Sequence, residues 1–261
     1  MRLGVLSCVL GLLAGMAVAA FDFIRMTPFT LPLGYARILR VESFEALMAT
    51  PFADGVNALC WERELVGDFG EVVAHLKVGQ GITTLDEAAL HAMPLSAAGR
   101  AAVAVLLEDQ RLLREHGLAP VLDCVNGYLP NDEPEPVRTD VCSFHADSAT
   151  VEADTYLCTY FGASSEGLRN EEAVRRVDIA ETRAELLGLF GGEDDADFCE
   201  HLGEHGYDLH YAPLPHAQPF LFGLGNLWRI ALSHPGSPVP PCIHRAPDPV
   251  PGQPPRLLLI S

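Results

Sequence analysis

The sequence contains a His-x-Asp motif, formed by His145 and Asp147, in a run whose composition is typical of a β-strand. Positions i and i+2 of a strand face the same side, so this imidazole and this carboxylate are expected to project together. Such a pair supplies two of the three ligands in the facial triad that holds non-haem Fe(II) and leaves coordination positions open. The motif therefore predicts a metal site that a second histidine from a later strand would complete.

His244, in the strand-like run Pro-Cys-Ile-His-Arg, is the candidate for this third ligand. Arg256 follows at the start of the last apolar run, where its guanidinium could bind the distal carboxylate of a 2-oxo acid that chelates the metal. An HxD motif followed by His and then Arg is the pattern of Fe(II)/2-oxoglutarate dioxygenases. A plain structural interpretation stays open, in which both histidines are ordinary polar residues and the arginine pairs with a surface acid.

A second histidine-rich segment offers an alternative metal patch, made of His201, Glu204, His205 and His210. Residues 201–205 have the sequence HxxEH, the inverted zincin motif, in which two histidines bind zinc and the glutamate is the base. Glycine inside the motif is unfavourable in a helix, and no glutamate follows Glu204 to complete a zinc site. The segment therefore argues against a protease and leaves two interpretations, an adventitious metal patch or a solvated acidic surface.

The charge balance narrows the possible partners. The 261 residues include 35 acidic and 17 basic side chains, for a formal net charge of −18. Binding to nucleic acid or to an anionic membrane surface needs a basic face, so we expect neither. A small molecule or a protein remains as the substrate class.

Residues 1–20 contain an uncharged apolar run that ends in small residues. Two interpretations stay open: a cleaved signal peptide, or an N-terminal extension that results from a mis-assigned start codon. The first implies an exported or periplasmic protein, with no stable membrane span in the mature chain. The second implies a cytoplasmic one.

The elements that must position these groups fall into two parts of one domain, residues 35–260. Residues 35–118 are predicted to be mainly helical, with the clearest helix at 96–117, where Ser96 can cap the start and Gly117 the end. Residues 119–260 are predicted to be rich in short strands, with an acidic helical insert at about 170–206. This order predicts an α+β fold, with a double-stranded β-helix (jelly-roll-like) core and an N-terminal helical layer.

Four short motifs give the chain a family resemblance. They are the W-x-R of Trp61 and Arg63, the F-H-x-D that ends at Asp147, the C-T-Y-x-G of 158–162 and the H-R-x-P of 244–247. In this order they resemble domain-of-unknown-function family 1826, a set of uncharacterised bacterial proteins, over most of the chain beyond residue 35. The resemblance implies a cytosolic, metal-related role and gives weight to His145, Asp147 and His244, without naming a reaction.

Two functional hypotheses follow. In the first, the protein is an oxidoreductase in which His145, Asp147 and His244 hold Fe(II) and Arg256 anchors 2-oxoglutarate. In the second, the same triad or the histidine-rich segment holds zinc without catalysis, as in a metal-homeostasis protein. A two-histidine, one-carboxylate site accepts several divalent metals, so the sequence leaves the metal open.

Overall fold

The computed structural model describes residues 29–128 and 136–261. The segment at 1–20 lies outside these ranges. In the part of the chain that is described, no helix is long and apolar enough to cross a membrane.

The described chain forms six α-helices and twelve β-strands. The helices are α1 (Phe44–Ala49), α2 (Phe69–His75), α3 (Glu87–His91), α4 (Ala97–Glu115), α5 (Ala180–Phe190) and α6 (Ala196–Glu204). The first six strands are β1 (Ile38–Val41), β2 (Ala58–Trp61), β3 (Gly81–Thr84), β4 (Val121–Asn126), β5 (Asp154–Phe161) and β6 (Glu166–Leu168). The last six are β7 (Ala173–Arg175), β8 (Tyr211–Pro213), β9 (Phe220–Leu221), β10 (Leu227–Ala231), β11 (Ile243–Arg245) and β12 (Arg256–Ile260).

Seven strands form the large sheet, in the order β1-β2-β10-β5-β12-β4-β3. All its neighbours are antiparallel except β1 and β2, which run parallel. A small sheet has the order β11-β6-β9, and β7 pairs with β8 in a two-stranded sheet. Mainly antiparallel sheets with separate helices confirm the α+β class.

The large sheet is covered on both faces, and alternation along its strands assigns each side chain to one of them. On β5, Tyr156, Cys158 and Tyr160 belong to a core cluster shared with helices α1 to α4. Between them, Leu157 packs into a second cluster with Phe220 and other residues near the small sheet. The order of layers is therefore helices, large sheet, small sheet.

The helix predicted at 96–117 is confirmed as α4. The hydroxyl of Ser96 accepts a hydrogen bond from the N–H of Gly99, which satisfies a donor of the first turn. After the helix, Gly117 adopts a φ of +79°, a left-handed conformation that favours glycine. The helix buries one side, including Leu106 and Leu113, against the large sheet.

Strands occur in both regions that were predicted to contain mainly helices. Residues 35–118 contribute strands β1, β2 and β3 to the large sheet in addition to four helices, which make up most of their regular structure. Within the 170–206 insert, helices occupy 180–190 and 196–204, whereas β7 and two short 3-10 turns occupy 170–178. The strand β7 forms there because β8 supplies its partner from a distant part of the chain, which local composition does not reveal.

Candidate metal centre

The two histidines of the predicted triad come together through the backbone. His145 and His244 lie directly opposite each other in an antiparallel bridge, and each N–H donates to the other's carbonyl at 2.9 Å. Opposed residues on neighbouring strands place their side chains on one face. Their ring centroids are 4.6 Å apart.

Asp147 lies between the two rings. Its Oδ1 is 3.6 Å from Nε2 of His145, and its Oδ2 is 3.7 Å from Nε2 of His244. Both separations are too long for a hydrogen bond. The three ligand atoms nevertheless all lie within 4.8 Å of one another, the one such group of three in the described residues. An ion with bonds of about 2.1 Å to nitrogen would fit between them with small adjustments.

Both imidazoles are oriented for metal binding by their other nitrogen. Nδ1 of His145 lies 2.8 Å from the carbonyl oxygen of Ser143, and Nδ1 of His244 lies 3.4 Å from that of Cys242. A carbonyl can only accept, so each Nδ1 carries the proton and each Nε2 presents its lone pair. These lone pairs are the ones that face Asp147.

The carboxylate is oriented from the large sheet. The hydroxyl of Thr155, on β5, donates to Oδ2 of Asp147 at 2.6 Å. Burial would raise the pKa of Asp147, but His244, this hydrogen bond and His145 together hold it below its ordinary value. Burial also lowers the pKa of His244 to about 4, although Asp147 opposes that shift. Near neutral pH the site therefore presents an ionised carboxylate and a neutral imidazole at His244, the forms that bind metals.

The triad lies inside the two-sheet core but is open to solvent on one side. The side chain of Asp147 is 30% exposed, against 13% for His145 and 9% for His244. Thr155 reaches the site from the inner face of the large sheet. A metal bound here would have histidine ligands held in the protein and a carboxylate near the entrance.

Arg256 lies on the inner face of β12 and is 6% exposed. Its Nε donates to the carbonyl of Ala163, Nη1 to the hydroxyl of Tyr128, and Nη2 to the hydroxyl of Ser165. None of these partners is charged, and among the described residues no carboxylate forms an ion pair with Arg256. Burial lowers the pKa of this guanidinium. Because a guanidinium has five N–H donors, two have no partner among the described residues.

The predicted anchor and the triad are linked through β6. Gly167 on β6 is paired with His244 on β11, and Ser165, two residues earlier, holds Arg256. Because two residues of extended chain span about 7 Å, Ser165 lies about that far along the chain from Gly167. Arg256 lines a cavity of about 430 Å³ together with Tyr128 and the proline-rich segment 247–255, and the triad is not part of that lining.

The alternative metal patch is only partly brought together. The rings of His201 and His205, one turn apart on and just after α6, have centroids 4.2 Å apart. His210 lies instead beside His145, with ring centroids 5.7 Å apart. No group of three ligands that includes Glu204 forms in the described residues.

Sequence reasoning missed several groups around the site. Thr155, Tyr128 and Ser165 each contact a predicted site residue only across strands, so no local motif marks them. The place of His210 beside His145 was missed for the same reason.

Comparisons of the chain with protein-family models, curated proteins and solved structures found no match. The resemblance to family 1826 therefore stays a prediction, and the site has to be interpreted from its own geometry.

Proposed function

We propose that this protein is an Fe(II)- and 2-oxoglutarate-dependent oxygenase, with His145, Asp147 and His244 as metal ligands. The observation that carries the proposal is the convergence of two Nε2 lone pairs and one carboxylate within 4.8 Å. Two imidazoles and a carboxylate are the donor set of the facial triad. The sequence order of the ligands, His-x-Asp and then His, agrees with it.

The strand order supports a double-stranded β-helix as the fold of the core. The eight extended segments of the core can be numbered one to eight in chain order: β4, the segment at 143–147, β5, β6, β9, β10, β11 and β12. With this numbering, the neighbour order within the large sheet is six, three, eight and one. The small sheet, with the segment at 143–147 bridged to β11, has the order two, seven, four and five. This division is the one expected for an eight-stranded jelly roll, with β1, β2 and β3 added at the edges of the large sheet.

The second support is the charge of Arg256, which has no ion-pair partner among the described residues. In a chain with twice as many acids as bases, a buried guanidinium left in this state indicates that an external anion neutralises it. The distal carboxylate of 2-oxoglutarate would suit the two N–H donors that have no partner among the described residues, while its other end would supply oxygen ligands to the metal. The hydroxyls of Tyr128 and Ser165 fix the plane of the guanidinium for this contact.

The chemistry that Fe(II) and 2-oxoglutarate supply when bound is the activation of oxygen. The protein's own part is to position these groups. Ser143 and Cys242 orient the two imidazoles through their carbonyls, and Thr155 orients the carboxylate. Asp147 is the most exposed of the three ligands, so its side of the triad is the approach left to a substrate.

The test is an anaerobic titration of the full chain with Fe(II) and then 2-oxoglutarate, followed by visible absorption. We expect a charge-transfer band that is lost in His145→Ala, retained in the control His75→Ala, and shifted to higher 2-oxoglutarate concentration in Arg256→Lys. His75 is exposed and lies on α2, away from the triad's strands. Tight stoichiometric binding of zinc with no band would instead support the second hypothesis, a non-catalytic zinc-binding protein.

A further inference from the structure

The face of the small sheet that carries the triad continues beyond His145. His210 lies opposite His145 in a second antiparallel bridge, with their ring centroids 5.7 Å apart. The chain continues from the pair of β7 and β8 in which Arg175 is opposite Tyr211. Arg176 comes next, at the start of a 3-10 turn, and its N–H donates to the His210 carbonyl at 2.8 Å. Because directly opposed residues share a face, His210 extends the row of the metal ligands, and Arg176 adjoins the end of that row.

Both side chains have a buried polar atom without a partner in the described residues. These atoms are Nδ1 of His210 and Nε of Arg176. The histidine is 6% exposed. Nε of arginine can only donate, and a ring nitrogen of histidine can donate as well. Since a buried donor without an acceptor is unfavourable, the pair is suited to a ligand that accepts from both.

The charge on Arg176 is also unmatched. Its neighbour Arg175 forms an ion pair with Asp178. Arg176 forms none in the part of the chain that is described, although acidic residues outnumber basic ones 35 to 17. The hydroxyl of Ser143, close to His145, is a further buried group that has no partner among the described residues. These groups favour an anion over a neutral ligand.

We propose that Arg176 and His210 form an oxyanion subsite beside the metal triad, which takes a carboxylate or phosphate group of the primary substrate. The role in substrate binding rests on the proposed function, whereas anion binding itself does not need the metal. Arg256 lies towards the other end of the row, beyond His244 and Gly167. In this arrangement Arg256 serves the co-substrate and Arg176 the substrate.

The test is calorimetric titration of the chelator-treated full chain with inorganic phosphate and, separately, with acetate. We expect at least one anion to bind, with affinity weakened by about tenfold or more in Arg176→Gln and in His210→Gln, the loss expected for a charge-assisted hydrogen bond. Arg175→Gln is the matched control, because that side chain is exposed and already paired, and it should bind as the wild type does. The anion bound more tightly identifies the substrate class as phosphate ester or carboxylic acid.

The Arg256→Lys variant tests whether the anion binds at Arg176 or at Arg256. The loss of anion affinity caused by Arg176→Gln must persist when Arg256 is also replaced by lysine. If Arg176→Gln lowers the unfolding midpoint, Arg176→Lys replaces it, and weaker binding is again expected because lysine has no Nε–H in that position. Absence of phosphate and acetate binding in the wild type, or equal affinity in the Arg176 and Arg175 variants, would overturn the proposal. A failed Fe(II) titration leaves these results unchanged, so the two proposals fail separately.

Discussion

His145 and His244 exchange both of their backbone hydrogen bonds, each at 2.9 Å. This pairing makes the two imidazoles cross-strand neighbours on one face, and Asp147 joins them because it is two residues after His145. The candidate metal centre is therefore a product of strand register. A slip of one residue would turn one histidine to the opposite face.

Thr155→Val is expected to weaken metal binding while it leaves the fold intact. The substitution keeps the shape of the side chain but removes the hydrogen bond to Asp147 Oδ2. Loss of such an outer-shell partner costs about 10- to 100-fold in metal affinity. Competition with a fluorescent chelator measures the metal affinity. The control is Thr159→Val, which replaces another buried threonine of β5. Equal zinc or Fe(II) affinity in the two variants would contradict this role.

His210 is expected to make stability depend on pH. Burial lowers its pKa to about 4, helped by His145 and Arg176 and opposed by Asp140. In the unfolded chain a histidine binds its proton near pH 6.5. Between these values the unfolded state holds more protons, so stability falls as the pH falls from about 6.5 to about 4.

Urea unfolding of the metal-free protein at several pH values measures this effect. His210→Gln should reduce the slope in that window without abolishing it, because the pKa of His244 is also lowered to about 4, whereas the exposed His75→Gln should leave the slope as in the wild type. A wild-type slope in the His210 variant would show that this side chain is not buried in its neutral form.

The buried pair of Arg63 and Asp109 is expected to be far more sensitive than surface pairs. Arg63 contacts both carboxylate oxygens of Asp109 at 2.6 and 2.8 Å, and the hydroxyl of Tyr160 donates to the same carboxylate at 2.7 Å. Asp109→Ala should cost about 3–5 kcal/mol in the free energy of unfolding, because it leaves a buried charge unpaired.

A control for this effect lies on the same helix. Arg111 pairs with Glu108 and Glu115 on the exposed side of α4, and Arg111→Ala should cost far less, because solvent screens exposed ion pairs. Denaturant midpoints compare the two variants. Similar losses would mean that burial of the Asp109 carboxylate does not determine its contribution.

Gly167→Ala is expected to disturb the small sheet next to the metal centre. A Cβ at Gly167 would overlap the ring of Phe220 and come within 2.7 Å of that of Phe222. Overpacking of this kind costs about 1–3 kcal/mol, and because Gly167 is paired with His244, metal affinity should fall as well. Gly203→Ala is the control, since a Cβ there meets no neighbour within 4 Å. Thermal unfolding with and without zinc distinguishes the two variants.

Local signals in the sequence were enough for the clearest helix and for the spacing of the candidate ligands. Ser96 and Gly117 predicted the ends of α4 because capping depends on residues within one turn. The apolar run at 256–260 predicted β12, and the spacing of His145 and Asp147 predicted a shared face, since strand alternation is also local.

Which strands are neighbours was decided only in the tertiary structure. No local pattern places Arg176 beside His210 or His210 beside His145, because these contacts depend on hydrogen bonds between distant segments and on burial of both sheets' inner faces. The sequence by itself determined which residues could bind a metal or an anion. The pairing of the strands decided which of those residues meet, because a side chain's cross-strand neighbours are set by register and not by its position in the chain.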